Sequence, residues 1–88
     1  MSAREARLRK LRMRSWRRGT KEMDLILGPY ADAHLAELND EALDAYEELL
    51  AENDQDLYRW AAGTEPVPDR LAGPLSKVMA ARAGDSGA

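Results

Sequence analysis

The residues best suited to chemistry lie at one corner of the chain, where Arg18 and Glu22 flank Gly19. If the chain turns at Gly19, the two charged side chains lie on either side of a bend that a partner's backbone can approach closely, because glycine has no Cβ. An arginine can bind a carboxylate or phosphate with its planar fork, and a glutamate can accept hydrogen bonds. Within one helix, arginine before glutamate is the weaker order for an ion pair four residues apart. The spacing leaves two interpretations open: a binding site, or a chance string with a helix-ending glycine.

No pattern in the chain predicts catalysis by its own side chains. The sequence has no cysteine and one histidine, His34, which argues against a thiolate nucleophile, a disulfide or a histidine metal cluster. The serines have no evident base partner, the carboxylates of residues 37–56 follow the polar face of a helix, and no glycine-rich phosphate loop is present. We therefore expect no catalytic residue, no metal site and no enzyme.

The net charge of -3 hides a division of charge along the chain. Residues 1–21 carry nine Arg and Lys against Glu5, whereas residues 22–69 carry fourteen acids against Arg59. Such a division is typical of a basic segment that binds an anionic partner or pairs with the acidic part of the same chain. It opens an alternative function, a small helical nucleic-acid-binding module that uses the basic first helix, with Trp16 or Tyr30 stacking on bases. The pI of about 5.1 argues against nucleic acid as a partner, because such domains are usually basic.

Composition and periodicity predict an all-α fold, a compact single-domain bundle of about five short helices. Alanine and leucine dominate the apolar residues, whereas strand formers are scarce. The apolar runs, such as residues 25–27, are too short to insert into a membrane. We expect a helical domain over residues 1–82 and a flexible tail over residues 83–88. The expected landmarks are N-caps at Ser2, Thr20, Asn39 and Asp54, a left-handed stop at Gly19, a kink or a break at Gly28 and Pro29, a stop at Gly63, and a last helix from Asp69 or Pro74.

Four ordered segments of the chain resemble the succinate dehydrogenase flavinylation factors, also called FAD assembly factors or the succinate dehydrogenase assembly factor 2 family. The family's hallmark, Arg-Gly-x-x-Glu, is met by residues 18–22 and is followed by Met23 and Asp24. The likeness continues through residues 25–30, 43–50 and 54–60, so that it covers about residues 8–62. Thr20 and Lys21 stand where many relatives have more apolar residues, and Gln55 stands where proline is frequent. These departures concern partner affinity and the start of a helix.

The resemblance implies a small assembly factor, monomeric when free, that binds the flavoprotein subunit of succinate dehydrogenase or, in some bacteria, of fumarate reductase. It would promote covalent attachment of FAD to a histidine of that subunit without binding a cofactor tightly, because the bond-forming chemistry belongs to the flavoprotein. The residues carried over are Arg18, Gly19 and Glu22, with Arg17 and Asp24 as neighbours. We expect this corner to orient the immature flavoprotein and its FAD. Because the family-like region begins close to Met1, we expect a bacterial cytoplasmic protein without a cleaved presequence.

Overall fold

The computed structural model describes residues 2–86 and confirms the all-α prediction. Five α-helices and one short 3₁₀ turn make up this part of the chain, and it contains no strand. None of these helices is both long and apolar enough to cross a bilayer. The elements are α1 (Ala3–Trp16), α2 (Lys21–His34), the 3₁₀ turn (Leu35–Glu37), α3 (Asp40–Leu50), α4 (Asp54–Ala62) and α5 (Asp69–Ser86).

Side-chain caps fix where the first four helices begin. Ser2, Thr20 and Asn39 each accept a backbone N–H from the third residue after them, as predicted. The predicted cap at Asp54 is wrong, because Asn53 is the N-cap and accepts the backbone N–H of the third residue after it at 2.8 Å. Asp54 is instead the first residue of α4, and its carboxylate binds a different part of the chain.

The prediction that Gly19 ends α1 in a left-handed conformation is wrong. Among the described residues, only Gly63 has a positive φ, of 78°, and it ends α4 as predicted. Helix α1 ends at Trp16, and the chain extends through Thr20, whose φ of -128° and ψ of 147° begin α2. The φ angle of Gly19 therefore does not explain why glycine stands at this position.

A break at Gly28 and Pro29, one of the two predicted outcomes, does not occur, because α2 continues through both residues to His34. The other outcome, a kink in the helix, stays a prediction. A proline inside a helix costs about 3 kcal/mol. Each large apolar side chain that is fully buried returns about 1.5–3 kcal/mol, and α2 buries Ile26, Leu27 and Tyr30. Tertiary packing therefore outweighs the local preference of proline.

The core lies where α2 packs between α1 and α5 and where α3 packs on α5. Apolar side chains from all five helices fill it, including Leu11, Leu27, Leu49, Leu57 and Leu71. One polar pair is buried among them: the Ser15 hydroxyl lies 2.6 Å from the Tyr46 hydroxyl and 2.8 Å from the carbonyl oxygen of Leu11. This pair joins α1 to α3.

Part of the division of charge seen in the sequence is accounted for by ion pairs inside the fold. Arginines along α1 form ion pairs with carboxylates of α3, namely Arg4 with Asp40 at 3.2 Å, Arg7 with Asp44 at 2.6 Å, and Arg14 with Glu47 at 3.7 Å. Exposed ion pairs contribute little to stability. Their consequence is that the positive charges of these three arginines are neutralised within the chain, which favours internal pairing over the nucleic-acid alternative for this part of α1.

Helix α5 begins at Asp69, as predicted, and passes through Pro74 to Ser86. It therefore extends beyond residue 82, where we expected the helical domain to end. Residues 87–88 of the expected tail lie outside the described residues. The flexibility of residues 83–88 stays a prediction.

Replacing Gly28 by alanine is predicted to destabilise the fold. An added Cβ would overlap the indole ring of Trp16, whose Nε1 is held by Asp32 at 3.1 Å. Overpacking of this kind costs about 1–3 kcal/mol. Urea unfolding of Gly28→Ala should show the loss. The matched control is Gly73→Ala, because its Cβ would meet open space and Pro74 offsets the gain in helix propensity.

The control variant should change the free energy of unfolding by no more than about 0.5 kcal/mol. Equal stabilities of the two glycine variants would contradict the packing of Trp16 on Gly28.

Stability is also predicted to fall at alkaline pH because of Tyr46. Burial raises the pKa of Tyr46 to about 12, although its hydrogen bond with Ser15 acts in the other direction. The stabilisation is fully present below pH 10, where the unfolded tyrosine also keeps its proton, and is lost as the pH rises through 12. The loss should reach about 3 kcal/mol. Urea unfolding from pH 7 upward should show a steeper fall for the unmutated chain than for Tyr46→Phe, and parallel profiles would contradict the assignment.

Candidate functional site

The predicted corner is the connection between α1 and α2, and its backbone is pinned from both sides. The backbone N–H of Arg18 donates to Asp24 Oδ1 at 2.6 Å, which ties the connection to the first turn of α2. Thr20 caps the same helix. The corner is therefore a defined shape rather than a loose loop.

The side chain of Arg18 points inward, with only 11% of it exposed. Its Nε donates to Asp54 Oδ1 at 2.7 Å, and its two terminal nitrogens donate at 2.6 Å to the carbonyl oxygens of Leu50 and Glu52. A cation is well placed there, because the last carbonyl groups of a helix lack partners and carry partial negative charge. Arg18 therefore joins the α1–α2 corner to the junction between α3 and α4.

Gly19 completes this attachment. Its backbone N–H donates to the second carboxylate oxygen of Asp54, so that the carboxylate binds two successive residues of the corner. A Cβ on Gly19 would lie 2.7 Å from that oxygen. The position requires glycine because a side chain would displace Asp54, not because of its backbone angles.

Glu22 behaves differently from Arg18 and Gly19. It lies exposed in the first turn of α2, where the helix dipole favours an acid. Within residues 2–86, its carboxylate has no hydrogen bond or ion pair, and the guanidinium of Arg17 is also exposed without one. The structure thus separates the predicted residues: Arg18, Gly19 and Asp24 build the corner, whereas Glu22 and Arg17 face outward.

The expectation that Arg18 offers its fork to a partner does not match this placement, since its donors are already bound within the chain. Whether the five residues act in partner binding stays a prediction. For Glu22, the geometry leaves the carboxylate available.

A cleft of about 360 Å³ opens beside Glu22, between the start of α2 and helix α4. Within the described part of the chain, no group of three His, Asp or Glu residues there or elsewhere is arranged to hold a metal ion. On the α4 side of this cleft, sequence reasoning considered Asp54 and Gln55 for the helix start and for partner affinity. It assigned no role to Tyr58, which lies four residues from Asp54 on the same helix face. The residues that line the cleft are Thr20, Glu22, Asp54, Gln55, Tyr58 and Arg59.

A sequence model of the protein family described as flavinator of succinate dehydrogenase matches residues 9–83. The chain belongs to this family. The resemblance drawn from the motif is confirmed, and the match to the flavinator family extends past residue 62 into α5.

Fungal proteins named succinate dehydrogenase assembly factor 2, mitochondrial, are among the chain's relatives. The protein from Meyerozyma guilliermondii is 43% identical over 70 residues, which cover 76% of this chain and 52% of that protein. The protein from Saccharomyces cerevisiae S288c is 43% identical over 61 residues, which cover 66% of this chain and 38% of the yeast protein. The protein from Aspergillus flavus is 41% identical over 63 residues, which cover 72% of this chain and 22% of that protein.

This chain therefore spans between about a fifth and a half of the length of these relatives. Their names place them in mitochondria, which does not support the bacterial cytoplasm that we expected. The compartment of this flavinator-family chain stays a prediction.

Asp54→Asn is predicted to destabilise the corner strongly. The variant leaves the largely buried charge of Arg18 without its counter-ion, and loss of one partner of such a pair costs about 3–5 kcal/mol. The exposed carboxylate of Asp44 offers a control, because Asp44→Asn removes an ion pair that is open to solvent. Chemical denaturation of both variants measures their free energies of unfolding. Similar losses in the two variants would contradict a larger contribution of the Arg18–Asp54 pair to stability.

Proposed function

We propose that this chain is an assembly factor for succinate dehydrogenase that binds the immature flavoprotein subunit and promotes covalent attachment of FAD to it. The same activity toward the flavoprotein subunit of fumarate reductase is part of the proposal. Membership of the flavinator family supports the choice of enzyme complex. The observation that extends the proposal to individual residues is the carboxylate of Glu22, which has no partner within residues 2–86 and lies on a corner that Arg18 and Asp54 hold in place.

A rigid corner suits a factor that acts by orientation. Binding that holds two reacting groups in the right geometry can lower a barrier without contributing a nucleophile or a base. The Arg18–Asp54 pair and the Gly19 N–H fix the backbone that carries Glu22, so that its carboxylate is presented from a defined position. We propose that the flavoprotein supplies the histidine and the flavin, and that this chain supplies geometry.

On this proposal the chain is not an enzyme and holds no cofactor tightly. It promotes the attachment of FAD that is bound by the partner flavoprotein. We also propose that the free chain is a monomer that meets the flavoprotein through the face around Glu22. Arg17 lies exposed next to this corner and is a candidate for a supporting contact.

Glu22→Gln is predicted to leave the fold intact and to reduce covalent flavin attachment. The carboxylate has no hydrogen bond or ion pair within residues 2–86, so the substitution removes charge from the surface without breaking an internal bond. We expect the covalent flavin of the succinate dehydrogenase flavoprotein to fall severalfold, measured by flavin fluorescence in a denaturing gel. The host would lack its own assembly factor and express the variant.

Glu48→Gln serves as the matched control, because Glu48 is an exposed glutamate of α3 that likewise has no partner within the described residues. It should support normal flavin attachment. Normal attachment with Glu22→Gln would overturn the role of Glu22. Variants of Gly19 are less suitable, because any side chain there displaces Asp54 and disturbs the fold.

A further inference from the structure

The charges around the cleft beside Glu22 are unequally satisfied. Asp54 binds Arg18, and the guanidinium of Arg59 lies 2.6 Å from Asp56 and 3.3 Å from Glu65. The positive charges of Arg18 and Arg59 are therefore held by carboxylates of the chain. Glu22 remains as a carboxylate without a counter-ion within residues 2–86. The residues that line the cleft include two acids, Glu22 and Asp54, against one base, Arg59, so the lining carries excess negative charge.

The cleft also carries an exposed aromatic ring. Tyr58 on α4 is 50% exposed, although Leu57 beside it is completely buried. Arginine and lysine cations are attracted to the faces of aromatic rings, and their apolar stems pack well on such surfaces. A carboxylate and an aromatic ring that line one cleft are a combination suited to a basic side chain.

Covering the cleft would be unfavourable unless the covering surface brought a positive charge. A carboxylate that is removed from water without a partner incurs a large desolvation cost. A purely apolar partner surface would bury Glu22 in this way, and an acidic one would add repulsion. An arginine or lysine compensates the charge and uses the exposed ring as well.

We propose that this cleft takes an arginine or lysine side chain of the flavoprotein subunit, whose cation pairs with Glu22 and whose stem lies on the ring of Tyr58. The inference rests on the proposed function and specifies the chemistry of the partner group at the same site. Tyr58 thereby becomes a second recognition residue, on a helix that the Arg-Gly-x-x-Glu motif does not include.

Binding of the purified chain to the purified flavoprotein subunit without covalent FAD tests the inference. Dissociation constants would be measured by titration calorimetry at several salt concentrations. We expect Glu22→Gln to weaken binding about tenfold and to flatten its salt dependence, because an ion pair is lost. Tyr58→Leu should weaken binding about fivefold or more, whereas Tyr58→Phe retains the ring and should bind almost as the unmutated chain does.

The double variant Glu22→Gln, Tyr58→Leu adds a stricter criterion. Since both side chains recognise the same cation, its loss of affinity should be smaller than the product of the two single losses. Glu48→Gln is the control for a change of net charge and should bind normally. Both mutated side chains are exposed, and thermal unfolding of each variant verifies that folding is unchanged.

The possible failures are distinguishable. If the unmutated chain does not bind the flavoprotein, the proposed function and the inference both fail. If it binds and Glu22→Gln keeps the original affinity and salt dependence, the proposed pairing of a partner's cation with Glu22 is overturned and binding to the flavoprotein is not. If Tyr58→Leu binds as tightly as Tyr58→Phe, or if the two losses multiply independently, the shared recognition by Glu22 and Tyr58 is overturned.

Discussion

The carboxylate of Asp54 is the group on which the shape of this protein's corner depends. One of its oxygens accepts from the Arg18 side chain and the other from the Gly19 backbone, across a separation of 36 and 35 residues. Arg18 adds bonds to the carbonyl oxygens of Leu50 and Glu52. The first two helices are thereby joined to the junction of the third and fourth by a charged, nearly buried cluster. Such a cluster is strongly weakened when one partner is lost, because the other charge then stays buried.

This arrangement changes how the Arg-Gly-x-x-Glu motif is understood. As a string of residues, it suggests three groups offered together to a partner. In the fold, Arg18 and Gly19 face Asp54, and only Glu22 faces outward without a partner among the described residues. Arg18 and Gly19 hold the corner in place, and Glu22 is exposed on its surface. Glu22 lines the cleft together with Tyr58, so the recognition surface that we propose extends to a helix that lies more than thirty residues further along the chain.

The features that sequence predicted correctly are those set by neighbouring residues. The caps at Ser2, Thr20 and Asn39 and the stop at Gly63 depend on bonds within one turn, and the spacing of apolar residues gave the helical class. The differences from the structure concern Gly19, Pro29 and Asp54. In each case contacts with a distant part of the chain determine the local structure. The Asp54 carboxylate occupies the space beside Gly19, and it pairs with Arg18 instead of capping α4. Core packing keeps α2 helical through Pro29. The cleft was missed for the same reason, since α2 and α4 meet there only after folding.

The internal use of Arg18 and Gly19 also affects how loss of function is interpreted in this family. A substitution at either position breaks the attachment to Asp54, so it alters the position of Glu22 even if the changed residue never touches a partner. Loss of activity at Arg18 or Gly19 therefore does not place that residue in an interface. Glu22 and Tyr58 differ, because their exposed side chains are not part of the attachment to Asp54. On the proposed function, a functional defect at these two positions in a folded protein would therefore report on recognition of the partner.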